Sequence, residues 1–217
     1  MPDAPPAPPR VAALVLAAGA GTRFGGPHGS KLLADLDGRP VLAHVLDGLA
    51  AAGLGEPVLV VSTTLAAALA RAGGTSMGGS APHVVVNPHP GLGLASSLRI
   101  GWAAAVADPS APEAILIALG DQPRVPAGLL ARLAAAPLDP TRPVVAVCWS
   151  AGAGPNPVRL EVAAGALVAE TEGDRGLGPV IAAHPELVRW IDASGDNPDV
   201  DRPSDLAALA SGAPRRA

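Results

Sequence analysis

The chain has 217 residues and is short of cysteine, aromatic residues and lysine. It contains one cysteine, one phenylalanine, three tryptophans and no tyrosine. A single cysteine, Cys148, excludes a disulfide framework and a thiolate zinc cluster. With a net charge of −4 and so few aromatic side chains, the chain lacks the basic face and stacking surfaces of nucleic-acid-binding proteins, so no nucleic-acid partner is predicted.

Hydrophobic runs of membrane-spanning length are also missing. The apolar run at residues 11–18 is too short to cross a bilayer, and the residues before it lack the basic region of a secretory signal. No membrane partner is therefore expected, and the sequence predicts a cytoplasmic protein. Residues 1–10 are rich in proline and are predicted to be a disordered tail, residues 212–217 a second tail, and residues 11–211 one domain.

Between the predicted tails, continuous apolar runs alternate with alanine- and leucine-rich segments of helical length. Such runs are typical of strands buried on both faces, so the pattern predicts an α/β domain with a mostly parallel sheet. The predicted strands are 11–17, 57–62, 83–87, 114–119, 143–148 and 187–191. The predicted helices are 40–52, 65–71, 95–107, 127–135, 161–168, 178–184 and 203–209.

The first predicted strand ends in a glycine-rich segment that carries two cations. Residues 16–25 are Leu-Ala-Ala-Gly-Ala-Gly-Thr-Arg-Phe-Gly, and Lys31, the one lysine of the chain, follows. Backbone N–H groups of such a turn approach phosphate closely, and Arg23 and Lys31 add positive charge. Phe24 breaks the dinucleotide-binding fingerprint, and Leu32 after the lysine breaks the P-loop pattern. The segment therefore favours phosphate binding of another kind.

A second polar segment, Gly120-Asp121-Gln122-Pro123, follows the predicted strand 114–119. In open parallel sheets, ligands bind outside the carboxyl ends of the strands. A carboxylate at that position suits Mg²⁺, which prefers oxygen ligands and substrate phosphates. The alternative is a structural aspartate in the turn before the next helix. The serines that open the predicted helix 95–107 leave the same choice between N-capping and hydrogen bonding to a nucleotide.

Together these segments resemble the MobA-like nucleotidyltransferase family. The resemblance rests on the glycine-rich segment with Arg23, on Asn87-Pro followed by Ser-Ser-Leu-Arg at 96–99, on Leu-Gly-Asp-Gln-Pro at 119–123, and on Asp199-Val-Asp201-Arg-Pro. It covers roughly residues 11–211. Within the family the sequence most resembles the molybdenum cofactor cytidylyltransferase (MocA-like) branch, because Ala18 stands where the guanylyl branch has glycine.

The resemblance implies a three-layer α/β/α Rossmann-like fold and an Mg²⁺-dependent transfer of CMP from CTP to the terminal phosphate of molybdopterin, with release of pyrophosphate. It implies that Arg23, Lys31 and Asp121 are catalytic, and that Asp121 and Asp201 hold the metal. The nucleotide-binding residues expected from it are Leu16, Ala17, Ala18, Gly19, Ala20, Gly21, Arg23, Lys31, Asn87, Ser96 and Ser97. The acceptor-binding residues expected from it are Asn156, Pro157 and Asp174.

Three alternatives stay open at this point. The donor could be GTP, as in the guanylyl branch. The acceptor could be another small phosphorylated molecule. The protein could instead be a non-catalytic escort that binds the molybdenum cofactor and delivers it to a molybdoenzyme. A molybdoenzyme is also the possible protein partner of an enzyme that made the dinucleotide.

Overall fold

The computed structural model describes residues 8–19, 21, 24, 31–72 and 81–211. The predicted tail segments 1–7 and 212–217 lie outside the described residues. The strands are β1 (Val11–Ala17), β2 (Asp35–Leu36), β3 (Arg39–Pro40), β4 (Val58–Ser62), β5 (His83–Asn87), β6 (Ala114–Leu119), β7 (Val144–Trp149), β8 (Val158–Glu161) and β9 (Val188–Ala193). The helices are α1 (Val41–Ala51), α2 (Thr63–Arg71), α3 (Leu94–Val106), α4 (Ala127–Ala135), α5 (Ala166–Ala169), α6 (Gly178–Ala183) and α7 (Pro203–Ser211).

Seven of these strands form one sheet in the order β5-β4-β1-β6-β8-β7-β9, while β2 and β3 form a separate antiparallel pair. In the large sheet β1 runs parallel to β4 and β6, β4 to β5, and β7 to β9. Only β8 is antiparallel to its neighbours. The predicted α/β fold with a mostly parallel sheet is confirmed.

Helices cover both faces of this sheet. Successive side chains of a strand point to opposite faces, so β1 contributes to two hydrophobic cores. Ala13, Val15 and Ala17 lie in a core with residues of α1, α2 and α4. Leu14 and Leu16 lie in a second core with residues of α3, α5 and α6. The result is the expected three-layer arrangement. Separately, no helix in the described part of the chain is long and apolar enough to cross a membrane.

The region around residue 160 differs from the prediction of a helix over 161–168. Residues 158–161 form β8, a 3₁₀ turn covers Val162–Ala164, and only Ala166–Ala169 is α-helical. The buried strand carries two charged residues, Arg159 and Glu161, which interrupt the apolar run by which the other strands are recognised. The β2–β3 pair was also missed, because strands of two residues leave no pattern in the sequence.

Candidate active site

A cavity of about 390 Å³ opens at the carboxyl ends of β1 and β6. These strands are neighbours, with Leu16 opposite Leu119, so the segments that leave them begin side by side. Gly120 permits this close approach, because its N–H donates to the Leu16 carbonyl at 2.9 Å and a Cβ at this position would lie 3.1 Å from the Cβ of Ala17. The described residues that line the cavity are Leu16, Gly19, Gly21, Lys31, Leu94, Leu119, Asp121, Asp174, Asp199 and Asp201.

Lys31 joins two aspartates inside this cavity. Its Nζ donates to Asp121 Oδ2 at 2.6 Å and to Asp201 Oδ1 at 2.8 Å. Lys31 is only 8% exposed. Burial by itself lowers the pKa of Lys31, but the charges and hydrogen bonds of the two carboxylates outweigh burial and raise the pKa above its ordinary value. The ammonium is therefore charged at neutral pH. The structure brings together Lys31, Asp121 and Asp201, three of the four residues that the sequence predicts for phosphate and metal chemistry.

The three side chains come from distant parts of the chain, and the backbone explains their meeting. Asp121 follows β6 directly. The N–H of Val200 donates to the Asp121 carbonyl at 2.9 Å, and the Val200 side chain is fully buried, which anchors the segment that carries Asp201. Asp205 Oδ2 accepts hydrogen bonds of 2.8 Å from the N–H groups of Asp201 and Arg202, so this side chain caps backbone donors at the start of α7.

Asp199, two residues before Asp201, also lines the cavity. Burial raises the pKa of the Asp199 carboxyl above its usual range, and the negative charges of Asp121 and Asp201 raise it further. The Nε2 of Gln122 donates to Asp199 Oδ1 at 2.7 Å and acts in the opposite direction. From the motif Asp199-Val-Asp201-Arg-Pro, Asp201 was predicted as the metal ligand. The place of Asp199 on the cavity lining was not predicted.

The glycine-rich segment after β1 contributes backbone and small side chains to the cavity. Leu16, Gly19 and Gly21 line it, and Gly21 has a positive φ of 58°. Ala17 and Ala18 are buried, at 3% and 2% exposure. Ala17 packs in the first hydrophobic core and Ala18 in the second, so their predicted contacts with a nucleotide stay a prediction. Ala20 and Arg23 lie outside the described residues, so their predicted nucleotide contacts remain predictions.

Asn87 forms hydrogen bonds with both Ser96 and Ser97. The Asn87 Nδ2 donates to Ser96 Oγ at 2.8 Å and to Ser97 Oγ at 2.9 Å, while its Oδ1 accepts from the His89 N–H at 2.9 Å. Asn87 is fully buried. These bonds fix the loop between β5 and α3 and give all three residues a structural role. Their predicted binding of a nucleotide stays a prediction.

The predicted acceptor residues lie in two places. Asp174 lines the cavity, on a loop whose Gly173 carbonyl accepts a 2.9 Å hydrogen bond from the N–H of Ala95. Asn156 and Pro157 are joined by a cis peptide bond and are absent from the described cavity lining. The Asn156 carbonyl accepts a 2.9 Å hydrogen bond from the Trp149 indole. The structure therefore brings Asp174, and not the Asn-Pro pair, to the same cavity as Lys31.

The donor set at Asp121 and Asp201 fits a magnesium-type ion. Mg²⁺ is commonly held by one or two carboxylates, with the remaining positions filled by water and substrate phosphates. Within the described ranges no three His, Cys, Asp or Glu side chains form a group that could enclose a metal. Asp121 and Asp201 thus offer two carboxylates, the number with which Mg²⁺ is commonly held. Leu94 and Leu119, two apolar lining residues, were missed because an apolar residue at a strand or helix end carries no chemical signal.

Three comparisons with known proteins show the family and the fold to which the chain is similar. A match to the MobA-like NTP transferase domain extends over residues 13–188. Among curated proteins, a CMP-5'-(3-aminopropyl)phosphonate synthase from Streptomyces rubellomurinus is 47% identical over 91 residues, or 41% of this chain. The chain spans only 14% of the length of that relative.

Among solved structures, Rv0371c from Mycobacterium tuberculosis is 27% identical, with a TM-score of 0.74 over 94% of this chain and 98% of that chain. Its complex with manganese is 25% identical, with a TM-score of 0.72 over 93% of this chain and 98% of that chain. The family match covers most of the described domain, and the resemblance inferred from the motifs is confirmed. The chain therefore belongs to the MobA-like NTP transferase family.

Proposed function

We propose that this protein transfers CMP from CTP to the terminal phosphate of molybdopterin and releases pyrophosphate, with Mg²⁺ as the divalent cation. The observation that carries the proposal is the Lys31–Asp121–Asp201 cluster in a cavity at the carboxyl ends of β1 and β6. Family membership supports the reaction class. The similarity to a protein named for a CMP conjugate supports cytidine as the base.

Each part of the cavity has a role in this reaction. The backbone at Gly19 and Gly21 would approach the phosphates of the nucleotide closely, because neither residue has a Cβ. Asp121 and Asp201 would hold Mg²⁺, which when bound neutralises charge on the phosphates. Lys31, which is charged and already inside the cavity, would stabilise the negative charge that develops on the leaving pyrophosphate.

The reaction requires the protein mainly to position the two substrates and to neutralise the negative charge of their phosphates. An oxygen of the acceptor phosphate attacks the α-phosphorus of CTP, the bond from that phosphorus to the bridging oxygen breaks, and pyrophosphate leaves with the bonding electrons. A phosphate nucleophile is already ionised at neutral pH and requires no general base. The described cavity lining, which holds one lysine and four aspartates but no histidine, suits such a reaction.

A second candidate acceptor is a small phosphonate that carries an amine. Two observations favour it: the curated relative is named for an aminopropylphosphonate product, and Asp174 places a carboxylate on the cavity lining, where it suits an ammonium group. The reaction, the donor and the roles of Lys31, Asp121 and Asp201 are the same for both acceptors.

One set of competition reactions tests these proposals. The protein is incubated with Mg²⁺ and equimolar CTP, GTP and ATP, together with either molybdenum-loaded molybdopterin or 3-aminopropylphosphonate, and products are identified by mass spectrometry. We expect the cytosine dinucleotide of molybdopterin. Asp121→Asn should lower kcat/KM at least about 100-fold, because the loss even of a residue that only supports a metal ligand typically costs about 10- to 100-fold. Asp192→Asn, which alters an exposed carboxylate on β9, should leave kcat/KM unchanged.

Each other outcome selects a different function. A CMP conjugate of the phosphonate alone would overturn molybdopterin as acceptor and favour the second candidate. A guanine dinucleotide would overturn CTP as donor. Molybdopterin that stays bound through gel filtration without any nucleotidyl product would favour the escort.

A further inference from the structure

The ammonium of Lys31 lies on the same pair of carboxylates to which the metal ion is assigned above. The distances of 2.6 Å to Asp121 and 2.8 Å to Asp201 are those of short, charge-assisted hydrogen bonds. The side chain of Lys31 is 10% exposed, whereas those of Asp121 and Asp201 are 22% and 42% exposed. The cation is thus the most enclosed member of the cluster, and both carboxylates remain open toward the cavity.

A divalent cation on the same oxygens would lie about 2.1 Å from each of them. Because the Lys31 nitrogen is within 2.8 Å of both oxygens, the two cations cannot share the space between the carboxylates. A metal held by the outer oxygens would still lie a few ångströms from the ammonium. At that separation, in a partly enclosed cavity, the repulsion between the two positive charges is screened less than in bulk water.

We propose that Lys31 and the divalent metal ion are alternative counterions of the Asp121–Asp201 pair, so that the metal binds tightly only together with the nucleotide. The triphosphate offers Lys31 anionic oxygens in the same cavity, and the ammonium moves from the carboxylates to the phosphates as the metal takes its place. The inference rests on the proposed function, because it takes Asp121 and Asp201 as metal ligands. It deepens that function by giving the order in which the ligands bind.

The charge of the remaining lining supports this exchange. Asp174 and Asp199 add two further carboxylates, so the described lining carries four aspartates and one lysine. A polyanionic nucleotide entering alone would meet net repulsion from these groups. A nucleotide that arrives with its metal brings the cation that the carboxylates need and releases Lys31 for the phosphates.

The test measures Mn²⁺ binding to the full-length protein without nucleotide, by the electron paramagnetic resonance signal of free Mn²⁺. Lys31→Met removes the ammonium but keeps an unbranched apolar stem, and we expect it to tighten Mn²⁺ binding about tenfold. Lys31→Gln serves as a second variant, and Lys31→Arg, which keeps the charge, should show no gain. Melting temperatures establish that each variant is folded.

A matched control removes the same charge elsewhere. Arg124 forms an exposed ion pair with Asp37 at 2.5 Å and does not line the cavity, so Arg124→Met alters the net charge equally. It should leave the dissociation constant for Mn²⁺ within about twofold of wild type, since exposed charges at a distance are screened by salt. Unchanged or weaker Mn²⁺ binding in both Lys31→Met and Lys31→Gln would overturn the proposal.

A second measurement addresses the nucleotide. With saturating CTP, and after correction for Mn²⁺ bound by CTP in solution, the gain in Mn²⁺ affinity should be larger in wild type than in Lys31→Met, because only wild type has an ammonium to displace. Equal gains would count against the exchange. Asp121→Asn separates the two proposals. If this variant binds Mn²⁺ as tightly as wild type does, the assignment of Asp121 as a metal ligand is wrong. If it loses Mn²⁺ binding while Lys31→Met shows no gain in Mn²⁺ affinity, only the proposed exchange of counterions is wrong.

Discussion

At the scale of single residues, the two buried cations Arg159 and Lys31 have different roles, one in the interior of the fold and one in the cavity. Arg159 is fully buried, and its guanidinium donates to the carbonyls of Ala136 and Pro137 and lies 3.4 Å from a carboxylate oxygen of Glu161. Burial lowers the pKa of Arg159, and the charge of Glu161 acts in the opposite direction. Its partners are mainly backbone oxygens in the interior, which no substrate can replace. The Lys31 ammonium, as far as the described residues show, bonds to two carboxylates in an open cavity, where a phosphate can compete for it.

We predict that Arg159→Ala lowers the free energy of unfolding by about 3–5 kcal/mol, because it leaves Glu161 buried without its cation and opens a cavity. Guanidinium chloride unfolding measures the loss. Arg189→Ala is the matched control, since Arg189 is half-buried, unlike the fully buried Arg159, and donates to the same Pro137 carbonyl at 2.9 Å. That change should cost less than about 1 kcal/mol. Equal losses for the two variants would show that burial of the Arg159 charge has no particular importance.

At the scale of elements, the first turn of α3 determines where the Asp174 loop lies. Gly93, just before the helix, has a φ of 90°, and a Cβ there would lie 2.5 Å from the backbone of Gly173 and 2.9 Å from Asp174 Oδ1. The guanidinium of Arg99, one turn further along, donates to the carbonyls of Thr171 and Ala169. The helix that packs on β1 and β4 is therefore also the support of the predicted acceptor side of the cavity.

Gly93→Ala tests this support. The methyl group would force the Asp174 loop away from the helix and strain the backbone, so we expect a loss of about 1–3 kcal/mol in unfolding free energy. Steady-state kinetics should show a higher KM for the acceptor, with a smaller change in the KM for CTP. Gly91→Ala is the control, because a Cβ at Gly91 meets nothing within 4 Å. A higher KM for CTP but not for the acceptor would contradict the assignment of this loop.

At the scale of the whole molecule, strand order creates the crevice. The chain passes from β1 outward to β4 and β5, then returns to place β6 on the other side of β1. Connections leave β1 and β6 in opposite directions, and ligands of open α/β sheets bind at such a switch point. The final segment of the domain then comes back to this edge, where the buried Val200 holds Asp199 and Asp201 against Asp121.

A ligand bound at this crevice joins elements from both ends of the chain, so it should stabilise the entire domain. At a CTP concentration 100 times its dissociation constant, with Mg²⁺ present, the free energy of unfolding should rise by about 2.7 kcal/mol. Thermal unfolding with CTP and with GTP at equal concentration measures this, and we expect the larger rise in melting temperature with CTP. Equal rises would show that the protein does not select the base.

The amino-acid sequence by itself determined the class of fold, and it predicts the chemistry of the site. Continuous apolar strands between amphipathic helices predict a mostly parallel sheet covered on both faces, because only full burial tolerates such runs. The glycine-rich segment after β1 with Lys31 further along, and Asp121 just after β6, predict phosphate and metal chemistry, because backbone N–H groups and a lysine suit phosphate and a carboxylate suits Mg²⁺. Predictions of this kind can be made from sequence because each depends on a segment of only a few residues.

Tertiary structure alone decided which of these groups meet. The direct contact of Lys31 with Asp121 and Asp201 spans 90 and 170 residues of sequence, and no local pattern encodes which oxygen the ammonium reaches. The charged strand β8 escaped recognition because its stability comes from an internal ion pair and from two neighbouring strands. Strand order, burial and the charge balance of the cavity arise from contacts between distant segments, and for that reason they had to be read from the folded chain.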